Sequence, residues 1–371
     1  MHFVKADSPI EFPKLGIKLD PPTGFSIGNF FIAFYAVIIA VGLVLAVVYA
    51  LKRRRQFGLR ENDILDGVLC IVPFAIICAR LYYVAFEWDS YKANPVEILN
   101  IRNGGLAIYG GVIAAAIGVV VLCLIKKIKI GAVLDITSLG FLIGQSIGRW
   151  GNFFNREAFG SYSNNFLAMR IKSQHLPKPD VLSAQFIAQR DEMVGHAVTN
   201  GYIGQIQVHP TFLYESIWNL VGFAALHFLS KKRKYDGQIA LAYVAWYGLG
   251  RTFIEGYRMD SLYWGNFRVS QMLAAITCFV AVAILVWQAF RYHDPKKLYV
   301  NMAGDKLAAE DAKRVEDAAK AKARREKFFG KKANKGEEEI SQVEETVEES
   351  TKEEAEESVE APSEEAEETE E

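Results

Sequence analysis

Thirteen residues set ionisable and amide side chains directly behind an apolar run: Gly148-Arg-Trp-Gly-Asn-Phe-Phe-Asn-Arg-Glu-Ala-Phe-Gly160. Arg149, Arg156 and Glu157 stand there with Asn152 and Asn155. Charge so near lipid is costly and usually marks a functional site, and the glycines let backbone come close to whatever the charged groups hold. A loop that only caps a helix is also rich in asparagine and glycine, so the chemistry must be read from what else converges on this segment. Arg251 and Glu255, with Arg258 beyond, lie in another apolar run. Four residues apart, Arg251 and Glu255 share a helix face and can pair.

The elements that position these groups are apolar runs of the length needed to cross a hydrocarbon core as helix. Seven are expected: Ile27–Leu51, Ile64–Phe86, Gly105–Ile125, Ala132–Gly148, Thr211–Leu229, Gly237–Gly256 and Val269–Phe290. The net charge of −1 hides a division of the chain, because residues 336–371 hold 18 glutamates and one lysine, which leaves +16 on residues 1–335. The positive charge follows every second span, at Lys52–Arg55, Lys126–Lys129, Lys231–Lys234 and Arg291–Lys297. By the positive-inside rule these connections are cytoplasmic, the N-terminus is outside and the C-terminus inside. The fold class expected is an all-α polytopic membrane protein, a seven-transmembrane-helix bundle.

Four further regions flank or cap the bundle. Residues 1–26 form an external N-terminal segment that lacks the basic-then-apolar order of a cleavable signal, so the first span is expected to serve as an uncleaved insertion signal. Residues 150–210 are long enough for a small external head over the bundle, which runs to about residue 300. Residues 301–335 are charged and helix-prone, and the acidic tail 336–371 has the composition of a disordered chain. Gly140, Gly144 and Gly148 make a small-residue ridge for close helix packing. Cys70, Cys78, Cys123 and Cys278 all fall in spans and read as apolar packing residues, and the histidines lack paired metal spacing, so no metal or cofactor is expected.

The alternating directions of the spans bring costly groups to one depth. Arg80, Tyr109, Arg149, Tyr247, Arg251, Glu255 and Arg258 all fall near the outer ends of their spans, with Tyr35 a few turns from the outer end of the first. The arginines outnumber Glu157 and Glu255. A surplus of buried guanidinium needs an anion, and its planar fork suits phosphate. At that depth the abundant anion is a phospholipid headgroup. The residues alone leave an enzyme, a transporter and a lipid-binding scaffold open.

Several motifs in order resemble one family. Gly148–Gly160 meets each fixed position of the prolipoprotein diacylglyceryl transferase signature, roughly G-R-x-G-N-F-x-N-x-E-x-x-G. Phe34-Tyr35, Ala79-Arg80-Leu81 and the glycine pairs 104–105 and 110–111 are similar to further family blocks. So are His209-Pro-Thr-Phe-Leu-Tyr-Glu215 and Arg251-Thr-Phe-Ile-Glu255, with Arg258 and Asp260 beyond; the resemblance covers roughly residues 25–293.

The resemblance implies a seven-helix bundle with a small external head, in a bacterial cytoplasmic membrane, with its active site toward the outer side. It implies transfer of the diacylglyceryl group of phosphatidylglycerol to the lipobox cysteine of a preprolipoprotein signal peptide, giving a thioether and glycerol phosphate. The expected partners are those two substrates and membrane lipids, with no nucleic acid. By analogy Arg149 and Arg251 hold the phosphate, Asn152 and Asn155 bond the headgroup, and Glu157 and Glu255 orient the arginines. Arg80, Arg258, Gly160, Tyr35 and Tyr247 complete the implied lipid site. Tyr109 stands where many members have histidine. A tyrosine, with a pKa near ~10, is a poor base at neutral pH, which leaves Glu255, His209 or water to take the thiol proton.

Overall fold

The aromatic residues ahead of the first expected span pair as strands before any helix begins, as aromatic and β-branched side chains favour. The computed structural model describes residues 2–324 apart from 5–7, 29, 102–103, 177–183, 259–262, 265–266, 318 and 321. Within it five short strands come first: β1 (His2–Val4), β2 (Ile10–Phe12), β3 (Ile17–Leu19), β4 (Gly24–Ile27) and β5 (Phe30–Ala33). The hairpin β4–β5 pairs Ile27 with Phe30 and Gly24 with Ala33, and β1 adds to its other edge. The first helix, α1 (Phe34–Arg53), therefore starts seven residues after the expected Ile27. The all-α expectation is corrected here, since apolar composition alone does not separate a hairpin from the first turns of a helix.

The chain continues through α2 (Glu61–Phe86), a short α3 (Trp88–Tyr91), α4 (Ile108–Lys126) and α5 (Ile130–Asn155). Then come β6 (Met169–Lys172), α6 (Ala184–Thr199), β7 (Gln205–Val208), α7 (Thr211–Ser230), α8 (Gln238–Ile254) and α9 (Val269–Ala289). Among the described residues six helices, α1, α2, α4, α5, α7 and α9, are long and apolar enough to cross a membrane. Helix α8 has 17 residues and is extended by a tight helical turn, Glu255–Tyr257. Residues 304–317 are also helical. The acidic tail expected to be disordered lies outside the described residues.

The N-terminal segment and the 150–210 region each give two strands to one sheet. Its strand order is β3-β2-β6-β7, all antiparallel, with Glu11 opposite Arg170 and Ile171 opposite Ile206. Ile10, Ile171, Ile206 and Val208 face Met193 of α6 on one side of the core, and Phe153, Phe159 and Phe212 join that core to the ends of α5 and α7. Arg156 ties the segment down. Its buried guanidinium donates to the carbonyls of Ser8 (3.0 Å) and Pro21 (2.7 Å) and pairs with Asp20 (3.2 Å).

Helix α5 is the centre of the bundle, packed on α1, α7, α8 and α4. The glycine ridge serves the first of these: a Cβ added at Gly42 of α1 would sit 3.5 Å from Gly144. Three polar joints tie α5, α7 and α8 to one another. Ser146 on α5 and Ser216 on α7 each donate to the other's carbonyl, at 2.9 and 2.8 Å. Trp218 on α7 and Trp246 on α8 stack at 4.4 Å and exchange indole N–H bonds to each other's carbonyls, both at 3.0 Å. Each indole covers a glycine of the facing helix, Gly250 under Trp218 and Gly222 under Trp246, where any Cβ would collide with the ring. The fully buried Asp135 of α5 accepts from the N–H groups of Gly237, Ile239 and Ala240. It thereby satisfies donors that open the N-terminus of α8.

Candidate active site

With α5, α7 and α8 locked in register, Glu215 near the start of α7 comes to lie among three guanidinium groups. Arg149 reaches its Oε2 at 2.6 Å, while Arg258 and Arg251 reach its Oε1 at 3.2 and 3.4 Å. Glu255 forms the second anionic post, 2.7 Å from Arg251 and 3.9 Å from Arg258. Arg268 donates to the Glu255 carbonyl and holds the turn after α8 in place. Among the described residues the cluster sets three guanidiniums, those of Arg149, Arg251 and Arg258, on two carboxylates, Glu215 and Glu255.

Exposure sorts the five. The side chains of Arg149 and Arg251 are 21% and 19% exposed, whereas Arg258 is 9%, Glu215 5% and Glu255 2% exposed. The two glutamates and Arg258 make a buried base, and the guanidiniums of Arg149 and Arg251 look out from it. Two forks side by side at a half-open mouth can take the several oxygens of a phosphate.

Around this mouth the structure redistributes the other expected residues. Asn152 and Asn155 both donate their side-chain amides to Glu157 Oε1, at 3.0 and 3.2 Å. Glu157 is exposed, and among the described residues its hydrogen bonds come from the asparagines and no ion pair joins it to the arginines it was expected to orient. Gly151 lies on the Tyr35 ring, which an added Cβ would approach to 2.5 Å. Gly160 sits where three segments meet: its N–H donates to the His209 carbonyl at 2.9 Å, it bridges to Arg258, and an added Cβ would stand 2.8 Å from Tyr257 O. Tyr247, one turn before Arg251, stacks on Tyr243.

Two expected members stand apart. All five N–H donors of the Arg80 guanidinium are used by backbone carbonyls, those of Glu97, Ile98, Asn100, Gly104 and Gly105, at 2.7–3.0 Å. Its charge also lies over the Tyr91 ring. No donor is left for phosphate, and Arg80 instead organises the connection between α2 and α4. Tyr109, on the first turn of α4, is 70% exposed, and among the described residues no hydrogen bond or ring contact ties it to the arginine cluster. Asp260 lies outside the described residues.

Glu215 is the member that the sequence reading passed over, although it ends the His209–Glu215 motif. At the other end of that motif His209 Nδ1 lies 3.2 Å from the Tyr214 hydroxyl, and its ring packs on Tyr257. Burial holds the His209 pKa below the ordinary imidazole value, so the ring is neutral near pH 7.

Comparison with known proteins gives this arrangement its family. The sequence pattern of the prolipoprotein diacylglyceryl transferases matches residues 22–287. A phosphatidylglycerol–prolipoprotein diacylglyceryl transferase of Lactiplantibacillus plantarum is 40% identical over 296 residues, 78% of this chain and 96% of the relative. One from Listeria monocytogenes is 38% identical over 280 residues, 76% of this chain and 94% of the relative. One from Limosilactobacillus reuteri is 40% identical over 267 residues, 71% and 90% of the two chains. The chain belongs to the prolipoprotein diacylglyceryl transferase family.

Proposed function

We propose that this protein transfers the diacylglyceryl group of phosphatidylglycerol to the lipobox cysteine of a preprolipoprotein, in the first step of lipoprotein maturation. The observation that carries the reading is the pair Arg149 and Arg251, held by Glu215 and Glu255 and more exposed than the rest of the cluster. The cysteine sulfur attacks the glycerol carbon of the diacylglyceryl group, a carbon–sulfur bond forms, and the bond from that carbon to the phosphate oxygen breaks. The thiol gives up its proton, and glycerol phosphate leaves with the second negative charge. Donors already aimed at an oxygen that gains charge are worth most in the transition state, and that is the task assigned to Arg149 and Arg251. Asn152, Asn155 and Glu157, which follow Arg149 at and just beyond the end of α5, are assigned to the glycerol headgroup, while Tyr35 and Tyr247 are assigned to the lipid backbone.

Glu255 is already engaged in ion pairs with Arg251 and Arg258, so taking the thiol proton would break them. His209, neutral near pH 7 and bonded through its carbonyl to Gly160, is the better acceptor. The orientation that fits this chemistry has α8 as a seventh span, the N-terminus and the four-stranded sheet outside as the head, and the basic connections in the cytoplasm. The alternation of basic clusters supports it.

The test mixes the purified full chain with phosphatidylglycerol and a lipobox peptide and weighs the peptide. A gain of one diacylglyceryl group, absent with a cysteine-to-serine peptide, is expected. An unmodified peptide beside folded, lipid-binding protein would overturn the reading and leave a phospholipid transporter or scaffold.

A further inference from the structure

The end of the bundle opposite the arginine cluster has a cavity of its own. It measures ≈ 690 Å³ and lies between the C-terminal end of α4, the first turn of α5, the α7–α8 connection and the chain that follows α9. Lys129, Lys234 and Lys297 line it, with the stacked rings of Tyr235 and His293 as one wall. Two carboxylates are also present, and both are engaged. Asp236 is 7% exposed, lies 3.5 Å from Lys129 and 3.7 Å from Arg233, and accepts the Tyr299 N–H at 2.8 Å. Asp294 accepts the Lys296 N–H and caps the short turn there. Lys129 also donates to the Lys297 carbonyl. Lys234 and Lys297 are exposed, and among the described residues no carboxylate lies within ion-pair distance of either. The cavity therefore keeps positive charge that its own residues do not neutralise.

Its rim is apolar. Leu124 and Ile130 line it and, with Ile125 beside them, are exposed at the ends of α4 and α5. In a helix long enough to cross a membrane, such side chains meet acyl chains, while lysines one turn further out meet headgroups. A soluble phosphate compound would use the lysines and leave that rim without a role.

We propose that this cavity binds the phosphate of an anionic lipid headgroup, in the leaflet opposite the one served by Arg149 and Arg251, as a site separate from transfer. Lysine serves phosphate as a point charge, and basic pockets between transmembrane helices on the cytoplasmic side hold anionic headgroups. The inference rests on the proposed function only for naming that leaflet the inner one.

The experiment is native mass spectrometry of the full chain in a zwitterionic detergent, titrated with phosphatidic acid. Lys234→Gln/Lys297→Gln should weaken one retained lipid roughly 10- to 30-fold. Arg149→Gln/Arg251→Gln should leave that lipid in place. Lys234→Gln alone should weaken it about fivefold, which keeps the test open if the double variant folds poorly. Equal affinity in the lysine variants, or loss of the lipid only in the arginine variant, would overturn the proposal. Displacement of the lipid by inorganic phosphate at equal concentration would also overturn it, by assigning the cavity to a soluble anion. Failure of peptide modification in the transfer assay is a separate result, because lipid retention is read here without turnover.

Discussion

Glu215 is bound from both sides, 2.6 Å from Arg149 of α5 and 3.4 Å from Arg251 of α8, so one carboxylate joins the two guanidiniums assigned to the phosphate. Glu215→Gln should keep the shape but remove the charge, and turnover should fall at least tenfold. Glu215→Ala should also destabilise the protein by about 3–5 kcal/mol, since it leaves buried guanidinium unpaired. Turnover and thermal unfolding of both variants, measured in the same detergent, check this. Full activity in Glu215→Gln would remove the carboxylate from the site.

Arg251 and Arg258 both touch Glu215 and Glu255, but they differ in exposure. Arg251→Ala should reduce turnover ~100-fold or more with a small change in unfolding temperature, in line with loss of a donor to developing charge. Arg251→Lys should recover little, because the fork is lost. Arg258→Ala should instead lower stability first, because it lies behind the open mouth. The comparison is a ratio of turnover loss to unfolding shift for each residue, and equal ratios would contradict the assignment.

Arg80 makes a different prediction from the other arginines. Arg80→Ala should free Glu97, Ile98, Asn100, Gly104 and Gly105 from the carbonyl-bonded arrangement and raise proteolysis there, with phosphatidylglycerol affinity changed less than in Arg251→Ala. Lysine cannot replace it, because three donors cannot serve five carbonyls. Unchanged proteolysis with lost lipid binding would return Arg80 to the phosphate site.

The pH dependence of stability should contain a contribution from His209. Its folded pKa lies below the unfolded value near ~6.5. In the window between the two values the unfolded chain binds the extra proton, so stability rises with pH there. The contribution is present above the unfolded pKa and is lost as pH falls toward the folded one. His175 is shifted the same way by burial and by the Arg156 charge, so it adds to the slope. Unfolding temperatures at pH 7.5 and 5.5 should differ less in His209→Gln than in the parent, and an unchanged difference would contradict the assignment.

The membrane class, most of the spans and the Arg251–Glu255 pair were legible because each rests on local spacing: run length, alternation of charge, and four residues on a helix. Glu215 was not legible as a hub. Its partners lie on α5 and α8, and nothing local to it tells that Ser146–Ser216 and Trp218–Trp246 bring them into register. Arg80 misled for a related reason, since residue type does not distinguish a guanidinium facing carbonyls from one facing an anion. The start of the first span was misplaced because Ile27–Ala33 has the composition of either a helix turn or a hairpin strand.

The reciprocal tryptophan joint has a mechanical consequence. A slide between α7 and α8 in either direction breaks both indole bonds together, and the serine joint does the same for α5 and α7. These three helices behave as a stiff frame. Helices α2 and α4 pack extensively on each other and touch α1 and α5 only sparsely, so they form a leaf hung on that frame. Any lateral door for a two-chained lipid should open by a swing of this leaf: a disulfide between α4 and α5 should arrest turnover, and one between α7 and α8 should not.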